Sequence, residues 1–222
     1  MGTPFRLGAA VAIVATVTGT GQVQAQQAGP GQKPVPPASA APPDDGRWTM
    51  PAKNYAATRY SELDQINAGN VKDLQVAFTF STGVDRGHEA APIVDGQTMY
   101  VVTPYPNYVY ALDLTKPGAP LKWMYKPKPA ASSQGVACCD VVNRGGVLDN
   151  GRFFFNTLDD RTIALDAATG RELWDTKLGD INKGETITMA PLVAKGKVLV
   201  GGSGGEFGVR GWITAVDAQT GK

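Results

Sequence analysis

One short pattern recurs three times along this chain. Ala111-Leu112-Asp113 is followed by Gly118 and Trp123, Ala164-Leu165-Asp166 by Thr169-Gly170 and Trp174, and Ala215-Val216-Asp217 by Thr220-Gly221. The three alanines stand 53 and then 51 residues apart. A period of about 50 residues is the size of one four-stranded blade of a β-propeller. Each part of the pattern has a physical reason. Val109-Tyr110-Ala111-Leu112 and Thr162-Ile163-Ala164-Leu165 are short apolar runs of strand type, and Thr98–Val102, Arg152–Asn156 and Lys197–Val200 are further strand candidates between the repeats. Asp166 to Gly170 is a tight turn, because Asp bonds its own backbone and Gly accepts a positive φ. A tryptophan on the returning strand has the flat area to pack between blades.

The expectation is therefore an all-β fold, a partial β-propeller of about three blades. The third copy stops at Lys222, before its tryptophan is due. A closed ring needs at least about four blades, so the sequence is read as C-terminally truncated, with unpaired strand edges. The competing reading is an ordinary antiparallel β domain with coincidental Asp–Gly turns. It leaves two complete copies at matched spacing unexplained.

Residues 1–25 have the layout of a secretory signal peptide. Arg6 is the positive head, Leu7 to Val17 is apolar but too short to span a bilayer, and Val23-Gln24-Ala25 offers small residues for cleavage. An uncleaved membrane anchor is the other reading of this segment. Residues 26–46 carry Pro30, Pro34, Pro36, Pro37, Pro42 and Pro43 and no aromatic residue, the composition of an extended, disordered tether. The folded part is expected over 47–222, starting near Trp48. A formal net charge of +1 without a basic cluster argues against a nucleic-acid partner. No other stretch is long and apolar enough for a transmembrane domain.

Cys138 and Cys139 are the only cysteines and are adjacent. Neighbouring Cα atoms lie ~3.8 Å apart, closer than the usual ~4.4–6.8 Å of a disulfide. A bond between them closes a small strained ring and almost no loop, so it adds little stability. Such a bond makes sense as a rigid local surface or a redox element. Two inert thiols are the plainer reading. Export to an oxidising compartment makes the bond chemically permissible.

Four stretches together resemble the N-terminal part of the large subunit of quinoprotein alcohol dehydrogenases of the methanol/ethanol family. They are Tyr55-Ala56-Ala57-Thr58-Arg59-Tyr60-Ser61 with Leu63, Ile66, Asn67, Asn70 and Val71; Gly87-His88-Glu89-Ala90-Ala91-Pro92; Cys138-Cys139-Asp140-Val141-Val142-Asn143-Arg144-Gly145; and Glu185 to Pro191 leading into Gly202-Ser203-Gly204-Gly205-Glu206-Phe207-Gly208-Val209-Arg210-Gly211. The resemblance runs from Trp48 to Lys222. It implies an eight-bladed propeller that uses pyrroloquinoline quinone (PQQ) with Ca2+ or a lanthanide ion. It also implies a periplasmic location, oxidation of a primary alcohol such as methanol or ethanol to the aldehyde, and a cytochrome c as electron acceptor.

By the same resemblance Cys138 and Cys139 form a vicinal disulfide that stacks on the flat cofactor. Arg144, Thr188, Ser203, Gly204, Gly205 and Glu89 then bind its oxygens, and Glu206 is the metal ligand. The residue chemistry agrees. Arg144 is a planar fork of donors, Thr188 and Ser203 carry hydroxyls, Gly204-Gly205 lets backbone N–H groups approach an anion, and Glu206 is a hard oxygen donor. Two carboxylates repel unless one is protonated or screened, so a Glu89 bond to a cofactor carboxyl raises a physical question, and a structural acid bonding to backbone is the other reading of Glu89. His88, the only histidine, is read as structural. The family's catalytic aspartate, an asparagine ligand and a second arginine have no match in this chain. No catalytic residue is therefore expected here, and the chain alone is expected to be inactive. Ser203-Gly204-Gly205-Glu206-Phe207 resembles the lanthanide branch more than the calcium branch, where the second glycine is more often alanine. The sequence leaves open a homodimer partner or a small second subunit. Two other functions share the repeat. One is a cofactor-free propeller serving as an envelope-protein assembly scaffold, which has no use for Cys-Cys beside Asn-Arg-Gly. The other is a membrane-anchored sugar dehydrogenase, which would carry several N-terminal transmembrane helices.

Overall fold

The computed structural model describes residues 44, 46–137 and 139–222. The expected signal peptide, all but the end of the expected tether, and Cys138 lie outside the described residues. Among the described residues eleven strands follow one another as β1 Ile93–Asp95, β2 Thr98–Val102, β3 Val109–Asp113, β4 Leu121–Tyr125, β5 Gly146–Asp149, β6 Arg152–Thr157, β7 Arg161–Asp166, β8 Glu172–Lys177, β9 Leu192–Ala194, β10 Lys197–Gly201 and β11 Ile213–Asp217. They form three antiparallel meanders, β1-β2-β3-β4, β5-β6-β7-β8 and β9-β10-β11. Each meander is one blade, as the repeat predicts. The short innermost strands β1, β5 and β9 were not among the strand candidates, because three or four residues carry no measurable alternation.

The repeat acquires its meaning between blades. The indole N–H of Trp123 on β4 donates to the Ala167 carbonyl at 3.1 Å, and Trp174 on β8 donates to the Ala218 carbonyl at 3.1 Å. Each tryptophan therefore rests on the Asp–Gly turn of the following blade. That turn is built as its sequence suggests. Asp166 Oδ1 accepts from the Thr169 amide at 2.9 Å, and the Gly170 amide donates back to the Asp166 carbonyl at 2.8 Å. Gly170 sits at φ +73°, and a Cβ there would lie 2.6 Å from the Trp123 ring. Only glycine meets both demands.

The central blade is buried on both faces. Phe153, Phe154 and Phe155 are consecutive on β6 and all fully buried. Phe153 and Phe155 join the cluster shared with the first blade (Ile93, Tyr100, Val109), while Phe154 packs with Trp174, Val198 and Val216 toward the third. Opposite pointing of successive side chains explains how an unbroken aromatic run serves two interfaces. Burying each ring contributes about 1.5–3 kcal/mol.

Before the first blade the chain is clipped in place at Asp44. Its carboxylate accepts from Lys53 Nζ at 2.6 Å, Ser61 Oγ at 2.9 Å and the Glu62 amide at 2.8 Å. These donors, Lys53 first, hold the Asp44 carboxyl well below the usual range. No helix among the described residues is long and apolar enough to cross a membrane.

Candidate functional site

The loop between the second blade's first strand and the preceding 3-10 turn (Ala131–Gly135) carries Asn143, Arg144 and Gly145. Val141, Val142 and Asn143 are buried and anchor it, whereas Arg144 is exposed. Arg144 is held on three sides. Its amide donates to the Thr188 carbonyl at 3.0 Å, its Nη1 donates to Thr188 Oγ1 at 2.8 Å, and its Nη2 lies 3.2 Å from Glu89 Oε2. Gly145 sits at φ +104°, 3.5 Å or more from Ala90 and Ala91 even with a Cβ built, so the Glu89 stretch runs alongside this loop. The Arg144 and Glu89 side chains each stay 45% exposed. An ion pair that open contributes little to stability, so the arrangement is better explained by what it presents to solvent than by what it stabilises. Glu89 thus faces a guanidinium, which screens its carboxylate.

Two residues upstream of Thr188, Thr186 holds the glycine turn. Ser203 bridges to Thr186 through its amide (2.8 Å) and its hydroxyl (2.7 Å) to the Thr186 carbonyl, and the two hydroxyls lie 3.1 Å apart. Gly204 follows at φ +117°, where a Cβ would stand 2.5 Å from the Gly184 carbonyl oxygen. Gly205, by contrast, faces open space. A short 3-10 turn, Gly205–Phe207, then presents Glu206 at the surface.

The structure thus sets Arg144 in contact with both Glu89 and Thr188, joins Ser203 to Thr186, two residues before Thr188, and brings Gly204 close to Gly184. Gly205 and Glu206 sit at the exposed end of that turn. Cys139 is exposed on a turn upstream of Arg144, and the expected Cys138–Cys139 bond involves a residue outside the described ones. His88 is engaged locally, Nε2 with Thr82 Oγ1 at 3.1 Å and Nδ1 with the Arg86 carbonyl at 2.8 Å, as a structural residue would be. Among the described residues no group of three or more His, Cys, Asp or Glu side chains stands together as a ready metal site. Sequence reasoning missed Thr186 and the buried pair Asn143 and Asn156, which support the site from beneath. The available signal was Asn156 itself, a polar residue closing an otherwise apolar Phe153-Phe154-Phe155 run.

A guanidinium, the Thr188 hydroxyl and an open glycine turn suit a planar ligand bearing carboxylates. An exposed hard carboxylate beside them suits an oxygen-preferring cation.

Residues 48–222 match the family described as PQQ, glucose/ethanol/alcohol dehydrogenase, beta-propeller domain. The chain is 60% identical over 178 residues to the lanthanide-dependent methanol dehydrogenase of Methylacidiphilum fumariolicum (strain SolV), covering 80% of this chain and 29% of that protein. It is 49% identical over 183 residues to methanol dehydrogenase (cytochrome c) subunit 1 of Methylobacterium organophilum, again 80% of this chain and 29% of the relative. Among solved structures, a europium-containing methanol dehydrogenase superposes with a TM-score of 0.78 at 60% identity, over 79% of this chain and 31% of the other. The quinohemoprotein alcohol dehydrogenase of Comamonas testosteroni does so with a TM-score of 0.73 at 45% identity, over 79% and 26%. The chain therefore spans about 29% of the length of the two sequence relatives.

Proposed function

The chain belongs to the PQQ glucose/ethanol/alcohol dehydrogenase β-propeller family, and from that membership we propose that it supplies part of the cofactor site of a periplasmic alcohol dehydrogenase acting on methanol or ethanol. The observation that carries the proposal is Arg144, braced by Thr188 and Glu89 while its guanidinium remains open to solvent.

The residues fit the cofactor by their donor chemistry. Arg144 and Thr188 offer N–H and O–H donors to carboxylate and quinone oxygens, while Ser203, whose amide and hydroxyl both donate to the Thr186 carbonyl, reaches the ligand only through its hydroxyl oxygen and holds the glycine turn in place. The close approach of Gly204 to Gly184 leaves no space for a side chain, so the chain turns tightly there before the exposed Gly205. Gly205, with open space in front of it, gives a flat ligand room. Glu89 orients Arg144 and balances its charge. Cys138 and Cys139, paired as a vicinal disulfide, would offer a rigid plate against the ring. Glu206 would hold Ca2+ or a lanthanide ion, and the glycine at position 205 favours the lanthanide.

The chemistry supplied by the bound quinone is two-electron oxidation of a primary alcohol to its aldehyde, with the cation as Lewis acid and cytochrome c as the acceptor. The part played by these residues is to bind, to orient and to polarise. No residue of the chain matches the family's catalytic aspartate, so this chain alone is proposed to bind without turnover. Residues 1–25 are proposed to direct export, with 26–46 as a tether and 47–222 as the binding body.

Europium luminescence tests the metal assignment. Eu3+ added to the chain with PQQ is expected to show a saturable rise in emission lifetime as water leaves the ion, and Glu206→Gln is expected to remove it. An unchanged lifetime in Glu206→Gln would place the ion elsewhere.

A further inference from the structure

Asn156 lies in none of the motifs that point to the ligand, yet it connects the two loops that carry Arg144 and Thr188. It is fully buried on β6. Its backbone carbonyl accepts from Asn143 Nδ2 at 2.8 Å, its own Nδ2 donates to the Met189 carbonyl at 2.9 Å, and its Oδ1 accepts from Thr162 Oγ1 at 2.7 Å. Asn143 directly precedes Arg144, and Met189 directly follows Thr188. Asn143 also closes its own loop, accepting the Gly145 amide at 2.8 Å.

The orientation of the Asn156 amide is fixed by its partners. A carbonyl oxygen can only accept, so the NH2 group must face Met189, and the remaining oxygen takes the hydroxyl proton of Thr162. Thr162 is itself fully buried on β7, the strand paired with β6. A polar side chain at such depth is costly unless every group is satisfied, and here the amide has a partner on each side. The base of the arrangement is rigid, because β6 is packed on both faces.

We propose that Asn156 is a positioning residue that sets the spacing and orientation of Arg144 relative to Thr188, and so the fit of a planar, carboxylate-bearing ligand. This inference rests on the reading of Arg144 and Thr188 as ligand-binding groups. Asn156 touches neither of their side chains. Its backbone carbonyl holds Asn143, the residue before Arg144, and its side-chain amide holds Met189, the residue after Thr188, to the same strand.

The test compares four forms of the 222-residue chain: the unsubstituted protein, Asn156→Ala, Thr162→Val and Val109→Ala. Val109 is fully buried on β3 in the first blade, so its truncation lowers stability without touching either loop. Two quantities are measured at matched distance below each melting point. One is the native-state exchange rate of the Arg144 amide hydrogen, and the other is PQQ affinity at fixed Ca2+. Asn156→Ala keeps the backbone bond to Asn143 and removes the tie to Met189, so it acts on the Arg144 amide through the Thr188 carbonyl that holds it; it is expected to speed Arg144 exchange about tenfold beyond Val109→Ala and to weaken PQQ about tenfold. Thr162→Val, which frees only the Asn156 oxygen, is expected to give about a threefold change in both. Thr162→Val carries the same comparison if Asn156→Ala does not fold. Equal Arg144 exchange in the loop-support and Val109 variants overturns the proposal, as does faster exchange with PQQ affinity unchanged from Val109→Ala. If the unsubstituted chain binds no PQQ, the functional reading fails, and the exchange rates still decide whether Asn156 positions Arg144.

Discussion

Arg144 and Thr188 are joined twice, by the Arg144 amide to the Thr188 carbonyl at 3.0 Å and by Arg144 Nη1 to Thr188 Oγ1 at 2.8 Å. The backbone bond fixes where the arginine begins, and the side-chain bond fixes where it points. Losing the second alone should leave the loop in place and the guanidinium free to rotate.

Thr188→Val makes that separation. The valine keeps the volume and the backbone bond but has no oxygen for Nη1. A hydrogen bond to a charged group is worth about 1.5–3 kcal/mol, of which a solvent-exposed arginine recovers part from water. PQQ affinity by equilibrium dialysis is expected to fall about threefold to tenfold with the melting temperature nearly unchanged. A large fall in melting temperature would show Thr188 to be a structural residue first.

Gly170→Ala probes the contact between blades. The substitution meets φ +73° and the Trp123 ring at 2.6 Å together, and the ring cannot swing aside without giving up its bond to the Ala167 carbonyl. Strain of this kind costs on the order of 1–3 kcal/mol, to which displacement of the indole adds. The same substitution at Gly151 also meets a positive φ (+73°) but has open space in front of it. Gly170→Ala is expected to destabilise more than Gly151→Ala in urea unfolding. Equal losses would show that backbone strain, and not the tryptophan contact, makes the glycine necessary.

Asp160 sets a pH dependence. It lies in the β6–β7 hairpin at φ +68°, fully buried, and neither carboxylate oxygen has a hydrogen-bond partner among the described residues. Burial first, then the charges of Glu185, Asp159 and Asp180, raise its pKa from 3.8 to about 7, with Lys177 opposing. The folded protein therefore holds this proton more tightly than the unfolded chain. Stability from this group is fully present below pH 3.8, falls as pH rises, and is lost once pH passes about 7. Asp160→Asn has no proton to lose, and asparagine tolerates the positive φ. It is expected to raise stability by roughly 2–4 kcal/mol at about pH 8 and to change it little near pH 4. Urea midpoints at the two pH values check this, and an equal gain at both would contradict it.

The blades were legible in the sequence because the Ala-x-Asp…Gly…Trp pattern combines a strand, a turn and an interblade contact in one period. Trp123 and Trp174 pack as that pattern implies. The candidate site was legible only as residues of special chemistry, of which the structure places Arg144 against Thr188 and Ser203 against Thr186. Its supports were not. Asn143, Asn156 and Thr186 act through backbone carbonyls of residues distant in sequence, and no local pattern records which carbonyl an asparagine will meet. Asp160 was hidden for a similar reason. Two adjacent aspartates in a hairpin read as a solvated turn, whereas the backbone at Gly179 packs over Asp160 so tightly that a Cβ there would come 2.8 Å from its carboxyl carbon.

If Arg144 belongs to a PQQ-binding surface, the chain binds PQQ and the arginine carries part of the affinity. The most direct measurement is a PQQ titration of the chain, followed by quenching of its tryptophan emission at fixed Ca2+ or La3+, with Arg144→Ala in parallel. Saturable, metal-dependent quenching is expected, with a loss of affinity of at least about tenfold in Arg144→Ala without loss of fold. Quenching that does not saturate, or equal affinity in the two proteins, would contradict it.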